Sequence, residues 1–233
     1  MSETPSTTPQ EKTRHDLQYL KGRVEGEVES QSKRKAESSS KEAVAFYEKG
    51  LEEYEKGDYQ SAIEFFNQAS KKFPRVSTIH SALSSAYSAL GKFDDAISEA
   101  DLAIQYAQES VDPEEKESTN RAIARAYGLK GTAYIQKEEF AKATENIKKS
   151  VELWLDLAKN NPDSYGLNLV LTLQNLGAAL ELDSKFYEAI RAYQKAEETL
   201  IDLAVRSPKK YDVRIFDELR AKIKYLKKKI GEI

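Results

Sequence analysis

From about Ser40 to the C-terminus, apolar positions recur every three or four residues almost without a break, the spacing of helices that each bury one face. The last stripe is the cleanest. Val213, Phe216, Leu219, Ile223, Leu226 and Ile230 step by three and four, which predicts one amphipathic helix after Pro208. Val151, Trp154, Leu155, Leu157 and Ala158 make another stripe and place the single tryptophan in a packed core. Residues 1 to about 40 read differently, with Ser and Thr clusters ("TPSTT", "AESSSK") and little apolar content, too little to offset chain entropy. Within them Leu17, Leu20 and Val24 share a helical face at i, i+3 and i+7, interrupted by Gly22 and Gly26. The expectation is a flexible tail over 1–40 with a conditional helix at 14–28.

The helical part repeats itself. Gly57 and Gly91, Tyr59 and Phe93, Ala62 and Ala96, and Ala69 and Ala103 are each 34 residues apart. Phe93 to Phe140 and Ala96 to Ala143 span 47. Gly131 to Gly177, Phe140 to Phe186, Ala143 to Ala189, Pro162 to Pro208 and Tyr165 to Tyr211 then all span 46. Coincidences of this kind define a repeat array. Small residues such as Gly50 and Ala62 let two helices of a pair touch, and large ones such as Phe46, Tyr59 and Phe66 fill the space between pairs. One pair alone cannot bury its apolar face, so stability comes from stacking. The longer units are expected to carry longer helices. Their starts are marked by Asp112 as N-cap with Pro113 at N1, and again by "NPD" at Asn161 and "SP" at Ser207.

Residues 43–76, "AVAFYEKGLEEYEKGDYQSAIEFFNQASKKFPRV", resemble a tetratricopeptide repeat. Phe46 stands in place of the family's Trp, and Gly50, Ala62, Phe66, Ala69 and Pro74 fall on its signature spacings. The second unit, 77–111, keeps Leu83, Tyr87, Gly91, Phe93, Ala96 and Ala103 but has Ser84 and Ala100 at two signature sites. The third, 113–160, keeps Tyr127, Gly131, Tyr134, Phe140 and Ala143; the fourth, 162–206, keeps Leu176, Gly177, Ala189, Tyr193 and Ala196. The resemblance implies an all-α fold, a right-handed superhelix of about four antiparallel helix pairs over 41–206. A basic amphipathic helix over 208–231 would cap its open end.

That family uses the first helices of its pairs to line a concave groove. By the resemblance the lining includes Tyr47, Leu51 and Tyr54, then Ser81 and Ser85, then Arg125, Thr132 and Gln136, and last Gln174 and Asn175. A groove with aromatic side chains at one end, hydroxyls between and amides at the other suits a peptide or helix of a partner protein. The implied function is a protein-interaction scaffold or adaptor. Co-chaperones of the family capture acidic C-termini through a clamp of two lysines, two asparagines and an arginine. Here those positions hold Tyr47, Leu51, Ala82, Arg125 and Leu129, so only Arg125 fits. A co-chaperone with an atypical clamp therefore remains as an alternative. So does a self-assembling or self-regulated module whose N-terminal segment docks in the groove.

Composition narrows the chemistry. With no cysteine, disulfides, zinc-thiolate sites and cysteine nucleophiles are excluded. The two histidines, His15 and His80, lie far apart, and His80 reads as a packed side chain. The acidic clusters Glu52, Glu53, Glu55, Asp58 and Glu114, Glu115, Glu117 read as solvated helix faces and first-turn acids. With no Gly-rich phosphate loop or Gly-X-Ser-X-Gly motif either, no catalytic residue, metal or cofactor is assigned. A formal net charge of −3 exerts no global pull toward nucleic acid or anionic membrane. Residues 205–233 hold ten Lys or Arg against four Asp or Glu, a local excess that complements the end of the last helix. The expected partner is another protein or peptide segment. Neither nucleic acid nor membrane contact is expected, and a homo-oligomer stays open. The N-terminal stretch has no apolar core of a secretion signal, so the expected location is cytoplasmic.

Overall fold

The computed structural model describes residues 21–26, 28, 37–109, 115–207 and 213–232, and among them the regular structure is helical with no strand. The chain divides into two compact units, Met1–Ser110 and Val111–Ile233. The first unit holds α1 (residues 21–26 and 28), α2 (Glu37–Glu55), α3 (Tyr59–Lys72), α4 (Ser77–Ala89) and α5 (Phe93–Glu109). The second holds α6 (Lys116–Gln136), α7 (Phe140–Asn160), α8 (Pro162–Leu182), α9 (Phe186–Arg206) and α10 (Val213–Lys229). Within unit 1, α2 packs on α3, α3 on α4 and α4 on α5; within unit 2 the order is α6, α7, α8, α9, α10, each on the next. The longer sequence repeat appears as longer helices: α6 to α9 have 21 residues each, against 14 for α3 and 13 for α4. Of the expected tail, residues 1–20 and 29–36 lie outside the described residues, as do the expected caps Asp112 and Pro113 and the proline at 208.

The pairs close where a glycine on the first helix faces a large side chain on the second. A Cβ on Gly50 would lie 2.5 Å from the Phe66 ring, and one on Gly177 would lie 2.6 Å from the Tyr193 ring. A Cβ on Gly131 would run into Ile147 in the same way. No methyl fits at such distances, so the helix axes approach more closely than side chains at these positions allow. In the second pair Ser84 takes the glycine's place. Its hydroxyl is buried and donates to the Ala96 carbonyl at 2.7 Å, so the extra atom arrives already hydrogen-bonded. Ser150 repeats the device in the third pair, donating to the Ala124 carbonyl at 2.6 Å.

Each pair turns through one residue in the left-handed region: Gly57 (φ 82°), Gly91 (73°), Glu138 (60°) and Ser184 (58°). At all four, the following N–H reaches back five residues along the turn, as in Asp58 to Glu53 O (3.0 Å) and Lys185 to Leu180 O (2.8 Å). The next helix then starts under a cap where the sequence provides one. Asp58 accepts from the Ser61 N–H at 3.0 Å and from its hydroxyl at 2.7 Å; these bonds hold its carboxyl below the ordinary aspartate range. Asn161 caps α8 through Ser164 N–H at 3.2 Å, with Pro162 opening the helix.

The last helix lies against α9. Leu219, Ile223 and Leu226 are buried in unit 2's core, with Ile215, Phe216 and Ile230 packed partly against it. Two of its basic residues join the docking: Arg220 Nε reaches Glu197 at 2.6 Å, and Lys222 Nζ reaches Glu181 at 3.2 Å. Trp154 sits in the same core with its ring 6.0 Å from that of Tyr165.

Two glycines on α6 separate helix propensity from packing. A Cβ on Gly128 meets only the Ser150 Oγ, at an ordinary 3.4 Å, whereas one on Gly131 collides with Ile147. Gly128→Ala is expected to be neutral or to gain up to about 1 kcal/mol from helix propensity. Gly131→Ala, three residues along the same helix, is expected to lose about 1–3 kcal/mol by overpacking. Thermal or denaturant unfolding of the two variants measures the difference.

Candidate functional site

The ten predicted lining residues fall into two sets of five, one in each unit. In unit 1, Tyr47, Leu51 and Tyr54 run along α2 and Ser81 and Ser85 along α4. Tyr47 is fully buried, with its ring 5.5 Å from that of Phe66. Leu51 and Tyr54 are half-buried against the same apolar cluster, and Tyr54 meets Tyr59 edge-on at 5.1 Å. Ser81 is 3% exposed and Ser85 half-buried. The Ser85 hydroxyl donates to the Ser81 carbonyl at 3.0 Å, which leaves its lone pairs as acceptors. Tyr47 and Ser81 are thus covered positions rather than open lining.

Tyr47 shares its buried cluster with α1. Val24 and Val28 of α1 are 0% and 1% exposed, in one cluster with Tyr47, Ile79, Ala82, Leu83 and Ala86. Lys21 pairs with Glu48 on α2, and this hydrogen bond and charge raise the lysine's pKa. Sequence reasoning placed Val24 on an apolar face but did not reach Val28, the residue four further on. The other two members of that face, Leu17 and Leu20, lie outside the described residues.

In unit 2, Arg125, Thr132 and Gln136 lie on α6 and Gln174 and Asn175 on α8, and these two helices touch directly. Arg125, Thr132 and Gln174 are half-buried; Gln136 and Asn175 are exposed. Thr132, like Ser85, donates its hydroxyl to the carbonyl four residues back, that of Gly128 at 3.0 Å. The two helices are also joined by a hydrogen bond from the Tyr165 hydroxyl to Glu117. Burial, and then that carboxylate, push the Tyr165 pKa up, while burial lowers that of the neighbouring Arg121. At the far end of α8, Glu181 accepts from Tyr193 at 3.3 Å and from Lys222, joining α8, α9 and α10. Burial first, and Glu181 second, raise the Tyr193 pKa strongly, so this phenol stays protonated as a donor.

His80 is buried between two acceptors. Nε2 faces the Pro74 carbonyl at 2.8 Å and Nδ1 faces Glu99 at 2.7 Å, so the ring joins the turn before α4 to α5. Its ring also lies 5.1 Å from that of Tyr106. Among the described residues, no three His, Asp or Glu side chains are grouped as a metal site requires.

Comparison with known proteins gives the arrangement its context. Profiles described as tetratricopeptide repeat match residues 53–114 and 124–153. Among solved structures, the apo form of RapI aligns at 16% identity and a TM-score of 0.64, over 82% of this chain and 65% of that one. The chain therefore spans just under two thirds of RapI's length. BtubC (BKLC) from P. vanneervenii aligns at 13% identity and a TM-score of 0.56, over 95% of this chain and 93% of that one. Both likenesses are of fold. Among curated proteins no sequence matches significantly.

The two tyrosines on α2 are expected to answer differently to truncation. Tyr47→Ala removes a fully buried ring and should destabilise unit 1 by about 3–5 kcal/mol. Tyr54→Ala removes a half-buried one and should cost less than half as much. Urea unfolding monitored by circular dichroism gives both values.

Proposed function

From a chain built on tetratricopeptide repeats, we propose that the first helices of the pairs are a protein-binding surface, and that the protein serves as a scaffold or adaptor for a peptide or helix of a partner. The observation that carries the reading is in unit 1, where an apolar helix from outside the pairs is held by two buried valines and an ion pair to α2. Unit 2 supports it with a different surface. There α6 and α8 lie side by side with Arg125, Gln136, Gln174 and Asn175 partly or fully in solvent, a cation and three amides suited to a polar backbone. A stack already folded before binding loses little entropy on its own side when a ligand arrives.

Capture of an acidic C-terminus has less support. Of the five clamp positions only Arg125 is cationic, and Tyr47 and Ala82, at two others, are buried. The self-regulated version has more support, because α1 is held on unit 1 by Val24, Val28 and the Lys21–Glu48 pair to α2.

The test is affinity capture from source lysate with the full chain and a Tyr54→Ala/Arg125→Glu variant, both checked by circular dichroism. Loss of a partner in the variant alone is expected. Retention of every partner by the variant moves the interface off the first-helix faces and overturns the reading.

A further inference from the structure

α1 belongs to no pair, yet it is built into unit 1 by one face. Val24 and Val28 are four residues apart and buried, while Gly22, Glu25 and Gly26 between and beside them are exposed. The helix is amphipathic in the narrowest sense: two branched aliphatic side chains inward, and Lys21, three residues before the first, in an ion pair with Glu48. From Val76 to Ser84 no residue of α4 is exposed, and the buried set includes the polar Ser77, Thr78 and Ser81. α3 and α5 pack on two sides of α4. Val24 and Val28 belong to one buried cluster with Ala43 and Tyr47 of α2, Ala62, Ile63 and Phe66 of α3, and Ile79, Ala82, Leu83 and Ala86 of α4.

Resting on the proposed protein-binding role, we infer that the α2–α4 face of unit 1 recognises one class of ligand, a short amphipathic helix of a partner protein with two branched aliphatic residues at i and i+4 and a cation at i−3, and that α1 is the same ligand held in cis. The pattern in this chain is Lys21, Val24, Val28. Partner binding in unit 1 then requires α1 to leave, and the chain's own segment sets the affinity a partner must exceed. Added Cβ atoms at Gly22 and Gly26 would meet nothing within 4 Å, so neither glycine is needed for the fit. Both weaken the helix and keep α1 displaceable.

The experiment uses the full chain and a fluorescent peptide of residues 17–29, LQYLKGRVEGEVE, read by anisotropy. Wild-type chain should bind it weakly, because the tethered α1 competes at an effective concentration on the order of millimolar. Val24→Asp/Val28→Asp in the chain should bind it at least about tenfold more tightly, and a peptide with the same two changes should bind neither chain. In the Val24→Asp/Val28→Asp chain, Glu48→Lys should weaken the native peptide, and a Lys21→Glu peptide should restore binding to that variant. Gly22→Ala/Gly26→Ala leaves every contact in place and strengthens α1; it should weaken binding of the added peptide by about fivefold for each substitution.

Failure of the peptide to bind the opened chain, with its helical signal intact, overturns the inference and makes α1 a fixed part of the core. So does a charge swap without recovery. A concentration-dependent doubling of mass that Val24→Asp/Val28→Asp abolishes overturns the cis arrangement in favour of exchange between copies. Capture of a partner that depends on Tyr54 and Arg125 would leave the broader reading standing in each of these cases.

Discussion

Close approach of two helices at a glycine is the constraint on which each pair depends. Where Gly50 meets Phe66, Gly131 meets Ile147 and Gly177 meets Tyr193, the missing side chain lets a large one lie flat on the facing backbone. Glycine within a helix costs about 1 kcal/mol against alanine, a cost accepted three times at equivalent positions. The return is dispersion contact along the pair, which falls steeply with small gaps. Ser84 is a different solution to the same geometry. Its hydroxyl is admitted because it is hydrogen-bonded across the pair to Ala96.

Once the pairs are set, both units finish with apolar surface that a pair cannot cover by itself. In unit 2 the cover is α10, whose Leu219, Ile223 and Leu226 complete the core against α9. Arg220 and Lys222 fix its register through Glu197 and Glu181, with exposed basic residues left on the outer face. In unit 1 the comparable contribution comes from before the first pair, with α1 adding two valines and one ion pair. The two covers differ in helix propensity: α10 contains no glycine over its 17 residues, whereas α1 carries Gly22 and Gly26.

Much of the pairing was legible because its causes repeat. Gly57 and Gly91, or Ala143 and Ala189, recur at fixed spacing since each turn and each close approach needs the same residue type, and the left-handed residues at 57, 91, 138 and 184 follow that register even where glycine is replaced. The apolar stripe of α10 was legible for the same local reason. What escaped depends on contacts far apart in sequence. The repeat register predicts Tyr47 as groove lining, and nothing in the repeat says that it will be buried. Glu117 with Tyr165, and Glu181 with Tyr193 and Lys222, are 48, 12 and 41 residues apart and leave no periodic trace. Val28 was missed because the glycines around it spoil helix propensity, which is a poor guide when tertiary packing supplies the stability.

The same glycines bear on how a cis ligand works. A short free helix with two glycines is not stable in water, since nucleation fixes several residues before propagation returns anything. Docking therefore has to order α1 as well as bury Val24 and Val28, and the ordering entropy subtracts from the burial of two side chains. A stronger helix would convert the segment into a permanent part of unit 1; a weaker apolar face would leave the α2–α4 surface open. The tether resolves the conflict, because it raises local concentration without adding any contact. An occupant that is individually weak but covalently close can stay buried with Tyr47 in unit 1 when no partner is present. It yields to a partner helix that brings the same two aliphatic groups on a better-formed backbone.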